Sequence, residues 1–158
     1  MGSLSLPTVD QRGVARVQGA AYDVGAYEGP AATICTPGVL GTVKFGANSA
    51  RLSSSSKKKL RSYANDIAAS GCTAITLKGY TATSGAVTKR SHAIRAALSK
   101  ARTKAVRTYL KKRLTAAGVS VTFDLKVYGK KNPAKSNQSA KGKAANRRVV
   151  IVLANVLD

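Results

Sequence analysis

Gly79-Tyr80-Thr81-Ala82-Thr83-Ser84-Gly85, followed by the long basic segment from about His92 to Ala117, decides how this chain is read. The first part reads as a strand running into a glycine-bounded loop, and the second as a helix. The strand is Thr73–Gly79, with Ile75 and Leu77 on one face. The helix is expected from Lys89 or His92 to Ala117, where Gly118 stops it. Its apolar stripe is Ile94, Leu98, Ala101, Ala105, Val106, Tyr109, Leu110 and Leu114, and its opposite face is Lys100, Lys104, Arg107 and Lys111. Arg102 interrupts the stripe. It falls on the i,i+4 row Leu98, Arg102, Val106, Leu110, and a guanidinium in that position needs a partner. Residues 67–123 contain no acid. The guanidinium therefore snorkels, bonds backbone carbonyls of the loop, meets an anion from far along the chain, or offers its fork to a ligand carboxylate.

Upstream, Val39–Phe45 reads as a strand bounded by Gly41 and Gly46. Ser53 is placed to cap a helix that runs to about Ser70, with Leu60, Tyr63, Ala64, Ile67 and Ala68 on one face and Gly71 as its stop. Downstream, Val119, Val121, Phe123, Leu125 and Val127 alternate with polar residues, the pattern of a half-buried strand. Gly129–Asn146 reads as a polar loop with five lysines. Arg147–Leu153 ends in a continuous apolar run, which suits a central strand covered on both faces. The expected order is β-α-β-α-β-β, an α/β or α+β sandwich with two helices packed on a mixed sheet. Residues 1–40, rich in Gly, Ala, Pro and Thr, are expected to be a linker or edge extension, and 41–158 the domain. Met1-Gly2-Ser3 reads as an expression remnant. On that reading the chain is an excised piece of a larger protein whose native targeting signal is missing.

Charge is the largest departure from average composition. The chain has 158 residues, 27 Lys+Arg against 6 Asp+Glu, and a net charge of +21. Residues 1–43 hold two of the bases, Arg12 and Arg16, so the other 25 lie beyond them. Such a field attracts polyanions of several kinds, although a solvated basic surface gives the same numbers. No apolar run approaches the length that spans a bilayer. Cys35 and Cys72 each precede an expected strand. One secreted-type disulfide fits them, with two separately buried thiols as the alternative. Two cysteines and a single histidine do not make a zinc site.

Four blocks resemble the OmpA-like C-terminal domain family, the cell-wall-binding module of outer-membrane and peptidoglycan-associated lipoproteins. They are Val43-Lys44-Phe45 with Asn48-Ser49-Ala50-Arg51-Leu52, then Gly79-Tyr80-Thr81, then Leu98–Leu110 beside the family's L-S-x-x-R-A-x-x-V-x-x-Y-L, and Asn146-Arg147-Arg148-Val149 beside its N-R-R-V. Together they cover about residues 42–153. The resemblance implies a non-catalytic, extracytoplasmic domain that holds the stem peptide of peptidoglycan. In that family an Asp and the helix Arg clamp the diaminopimelate end, the Asp on the ammonium and the Arg on the carboxylate. By position the Arg is Arg102 and the Asp is Ala82, so the anionic half of the clamp is absent. An Asn of the first loop corresponds to Asn48. A family Asn before the L-S pair is Arg95 here, the acid that often follows N-R-R-V is Val150, and Ala86–Ala97 is about five residues longer than usual.

The candidate ligand contacts are thus Arg102, Asn48, Thr81, Ala82 and Arg147. Arg147 and Arg148 open a strand and point to opposite faces. Asn48 serves equally as a turn-stabilising Asn, and Tyr80 as a core or edge tyrosine. His92 reads as surface. A lone histidine and scattered acids give no nucleophile–base pair or carboxylate dyad, so no catalytic residue, metal or cofactor is expected. The expected function is a non-catalytic wall-binding or wall-associated module with a degenerate clamp, its partner a stem peptide or another anionic wall polymer. The alternative is a polyanion-binding adhesion or interaction module on the same fold. Nucleic acid ranks low, because six tyrosines, two phenylalanines and no tryptophan leave little for base stacking.

Overall fold

The computed structural model describes residues 35–83 and 88–155. They belong to one unit, residues 34–158. The expected linker over residues 1–40 lies outside the described residues except for 35–40. The elements are β1 (Gly38–Lys44), α1 (Ser54–Ala69), β2 (Ala74–Tyr80), α2 (Lys89–Ala116), β3 (Thr122–Gly129), α3 (Ala140–Asn146) and β4 (Arg148–Ala154). The sheet order is β1-β4-β2-β3. β4 runs antiparallel to both β1 and β2, while β2 and β3 are parallel. This is a mixed four-stranded sheet with helices packed on it. α1 lies on β1 and α2, and α2 lies on β2, β3 and β4.

Local chemistry sets the helix ends. The Ser53 hydroxyl accepts from Ser56 N at 3.1 Å, and Ser56 Oγ donates to Lys44 O at 3.1 Å. The cap that starts α1 therefore also ties it to the end of β1. Thr88 and Ser91 form a reciprocal capping box at the start of α2. Gly71 and Gly118, which end the two long helices, have φ of 66° and 71°, a region that costs glycine nothing.

The core joins Leu60, Ala64 and Ile67 of α1 to Val106, Leu110 and Leu114 of α2, over Val43, Ile75, Leu77, Val149, Ile151 and Leu153 of the sheet. Cys35 and Cys72 are disulfide-bonded at its margin, with Cα atoms 4.6 Å apart. Alternate sheet residues on the other face, such as Thr76, Lys78, Val150 and Val152, are half-buried.

Four local expectations change. β4 is central, and among the described residues helices cover only one of its faces. On the other face β-branched Val150 and Val152 lie beside strand partners such as Thr42, Thr76 and Lys78 and are half-buried. Within the expected polar loop 129–146 lies a two-turn helix, α3. Its Ser139 cap accepts from Gly142 N at 3.0 Å, but its sequence has no apolar stripe. β3 begins at Thr122 and is an edge strand with Val127 exposed. Ile94, Ala101 and Ala68 are exposed, and the buried face of α2 carries Ser99 and Thr103 beside Arg102.

Gly79 explains those small polar residues. A Cβ there would lie 2.7 Å from Thr103 Cγ2 and 2.8 Å from Ser99 Oγ, so α2 crosses β2 at backbone contact. Gly79→Val is expected to destabilise the fold by about 1–3 kcal/mol, read as a lowered midpoint in chemical unfolding. Opening the Cys35–Cys72 loop, which spans 37 residues, is expected to cost about 2–4 kcal/mol. Unfolding with and without reductant measures it.

Candidate functional site

The topology brings three loops to one end of the sheet. β1 and β2 both finish where β4 begins, because each is antiparallel to β4. The loop after β1, the loop after β2 and the α3–β4 junction therefore meet there, beside the first half of α2. They enclose a cavity of about 320 Å³. Ala47 and Asn48 come from the first loop, and Thr81 and Ala82 from the second. Arg95, Leu98 and Arg102 come from α2, and Lys143 and Arg147 from the junction. Asn48, Thr81, Ala82, Arg102 and Arg147 were all expected contacts, and the fold places them on one wall system.

Arg102 is fully buried. Its Nε donates to Ser49 O at 2.9 Å, its Nη2 to Gly46 O at 2.9 Å and its Nη1 to Tyr80 O at 3.4 Å. The guanidinium also lies 5.3 Å from the Phe45 ring centroid. Of the partners left open by the sequence, backbone carbonyls are the ones it holds. They come from the loop after β1 and the end of β2, so this side chain sets the spacing of two cavity walls. Burial, with Arg147 nearby, pushes its pKa down to about 10, and the group stays cationic at neutral pH.

The other walls are fixed by similar means. Asn48 has φ 46°, a left-handed conformation that Asn tolerates; it is both the turn residue and a lining residue. Thr81 N donates to Gly129 O at 2.7 Å. The Thr81 hydroxyl is buried with no hydrogen-bond partner among the described residues. Arg147 Nε donates to Phe45 O at 3.2 Å.

Arg148, on the opposite side of β4, is no solvated charge. Its guanidinium lies 4.0 Å over the Tyr80 ring, and Tyr80 stacks on Tyr128 with centroids 5.2 Å apart. Tyr80 is thus a packed tyrosine outside the cavity. Burial pushes its phenol pKa up, against the opposing pull of Arg148. His92 is exposed, as expected.

Asn146 carries more structure than its place in a motif suggested. It is fully buried. Its Oδ1 accepts from Ala134 N at 2.7 Å and Lys135 N at 3.1 Å. Its Nδ2 donates to Lys135 O and to Asn137 Oδ1, and that same oxygen accepts from Thr83 N at 3.1 Å. One amide thus folds the 130–140 segment and moors it to the loop after β2. Lys143 reaches the cavity only because α3 forms, and its signal in the sequence was the Ser139 cap alone. Arg95 fills the wall where the resemblance had an Asn.

Among the described residues, the cavity wall thus carries Arg95, Arg102, Lys143 and Arg147, and no carboxylate. Asp66 and Asp124 are the acids among the described residues, and Asp124 is paired with Lys126 at 3.4 Å. Those residues hold no cluster of His, Cys, Asp and Glu able to bind a metal, and no helix long and apolar enough to cross a membrane.

A model of the OmpA family matches residues 44–147. The chain belongs to the OmpA family. Among solved structures it is similar to the cell wall anchor of the T6SS from Pseudomonas aeruginosa. That pair has a TM-score of 0.57 and 24% identity, over 72% of this chain and 79% of that one. The peptidoglycan-associated lipoprotein from Burkholderia pseudomallei gives 0.56 and 23%, over 72% and 89%. The C-terminal domain of Helicobacter pylori MotB gives 0.58 and 21%, over 75% and 88%. At such identities the likeness is one of fold. A comparison with curated proteins finds no match.

If Arg102 holds the walls apart as described, Arg102→Leu should lower stability by about 2–4 kcal/mol, because buried carbonyls lose their donors. Arg102→Lys should recover only part of that, since one ammonium cannot reproduce the planar fork. Urea unfolding of the three proteins checks both.

Proposed function

We propose that this OmpA-family domain is a non-catalytic, extracytoplasmic wall-binding module whose cavity seats the end of a peptidoglycan stem peptide. The observation that carries this reading is the convergence of Asn48, Thr81, Ala82, Arg102 and Arg147 on one cavity of about 320 Å³. Family membership supports it, as does the shared fold with a cell wall anchor and a peptidoglycan-associated lipoprotein. The chemistry of the wall favours binding over catalysis. Among the described residues it offers cations, the Asn48 amide and the Ser91 and Thr81 hydroxyls, with neither imidazole nor carboxylate to serve as a general base. Arg102 contributes by shaping the seat and by its fixed charge, and Lys143 and Arg147 also line the cavity. The Asp position of the family clamp is Ala82, so the clamp is degenerate.

A second reading rests on the outer face of α2. Lys100, Lys104, Arg107 and Lys111 are all exposed there, in the stretch without acids. A ridge of this kind suits a polyanion-binding adhesion or interaction module. The two readings separate in solution. Titration with soluble stem-peptide muropeptides, followed by NMR, is expected to shift Thr81–Thr83, Lys143 and Arg147. Replacing the four ridge residues by Gln should leave those shifts in place. Were no stem peptide to move them, while heparin or a wall polymer bound with steep salt dependence and lost its affinity with the ridge, the second reading would stand instead.

A further inference from the structure

Among the described residues, the cavity wall carries cations and no carboxylate. An ammonium brought into it meets Arg102, Lys143 and Arg147. Residues 67–123 supply none, since that whole stretch contains no acid. At position 82, where the family clamp has an Asp, stands a half-buried alanine. Like charges opposed across a confined site discriminate strongly against a partner, and more so than across open surface. A carboxylate, by contrast, finds two cations at the α3–β4 junction, Lys143 and Arg147. A buried threonine hydroxyl without a partner among the described residues stands beside them.

We infer that the cavity selects an anionic end group whose neighbouring amine is acylated or absent, and rejects the free zwitterion. The inference rests on the stem-peptide reading and deepens it. On a stem peptide the fitting group is a side chain that keeps its carboxylate but whose amine is already in amide linkage, as it is once the peptide has been joined to another. The carboxylate takes the cations of Lys143 and Arg147 and the hydroxyl of Thr81. The amide nitrogen carries no charge and lies against Ala82 and Leu98 at little electrostatic cost. Arg102 keeps its carbonyls and needs no ligand to complete it. The alanine at 82 then has a selective consequence, because removing the Asp removes the group that would have received an ammonium.

The test uses the full chain and two muropeptides of one sequence, each ending in diaminopimelate, with the side-chain amine free in one and N-acetylated in the other. Calorimetry or NMR titration is expected to give tighter binding of the acetylated peptide by at least about ten-fold, roughly 1.4 kcal/mol. Ala82→Asp should erase or invert that ratio by supplying a partner for the ammonium. Asn48→Asp, which adds a carboxylate to the cavity without removing a cation and keeps a residue that tolerates a φ of 46°, does the same if Ala82→Asp folds poorly. Equal affinities in the parent protein, or tighter binding of the free amine, overturn the inference and leave the stem-peptide seat standing. Binding of neither peptide overturns both.

Discussion

One buried guanidinium holds the functional end of this domain together. Arg102 projects from α2 into the place where the loops after β1 and β2 approach each other, and it binds carbonyls from both. A cation in a fully buried position is costly unless its donors are satisfied. Here they are satisfied by carbonyls of the loop after β1 and of the last residue of β2. The loops gain donors for carbonyls that would otherwise face a buried wall, and the arginine gains acceptors without any acid. The arrangement is mutual, and it makes the cavity a property of the fold rather than of a bound ligand.

Close approach of α2 to the sheet is the second condition. The guanidinium reaches the loops only if α2 crosses β2 at backbone distance, which Gly79 permits and which Ser99 and Thr103 fill. The same crossing brings Arg95 and Leu98 onto the cavity. On the far side, Asn146 performs the comparable task with an amide. It gathers the 130–140 segment and, through Asn137, moors it to Thr83. The two walls are thus fixed by different polar groups, each fully buried.

Much of this was legible in the residues. Helix limits followed from Ser53, Gly71 and Gly118. The candidate site was placed at Arg102, because an arginine inside an apolar stripe demands a partner. Which partner was not legible, since a carbonyl leaves no mark in a sequence. The stripe itself was drawn too widely at Ile94 and Ala101. Periodicity assigns apolar residues to a buried face, whereas the closest contact of α2 is made by Ser99 and Thr103 against a glycine. α3 escaped for a related reason. Seven residues without an apolar face give no period to detect, and only the serine cap announced it. The apolar run of β4 was read as doubly covered, because strand patterning cannot distinguish lateral shielding by neighbouring strands from a second layer of helices.

The charge imbalance takes its meaning from these packing facts. A chain of net charge +21 could scatter its cations in solvent, where they would report only a solubility preference. Several are scattered in that way along the outer face of α2. Four others are brought onto the cavity by elements far apart in sequence, and the acids among the described residues, Asp66 and Asp124, are not on its wall. Because Arg102 is already bonded to backbone, the fold does not need a carboxylate at position 82 to neutralise it. Stability and ligand chemistry are thereby separated at this site. The carbonyls hold the arginine and tie the two loops without any side chain from position 82.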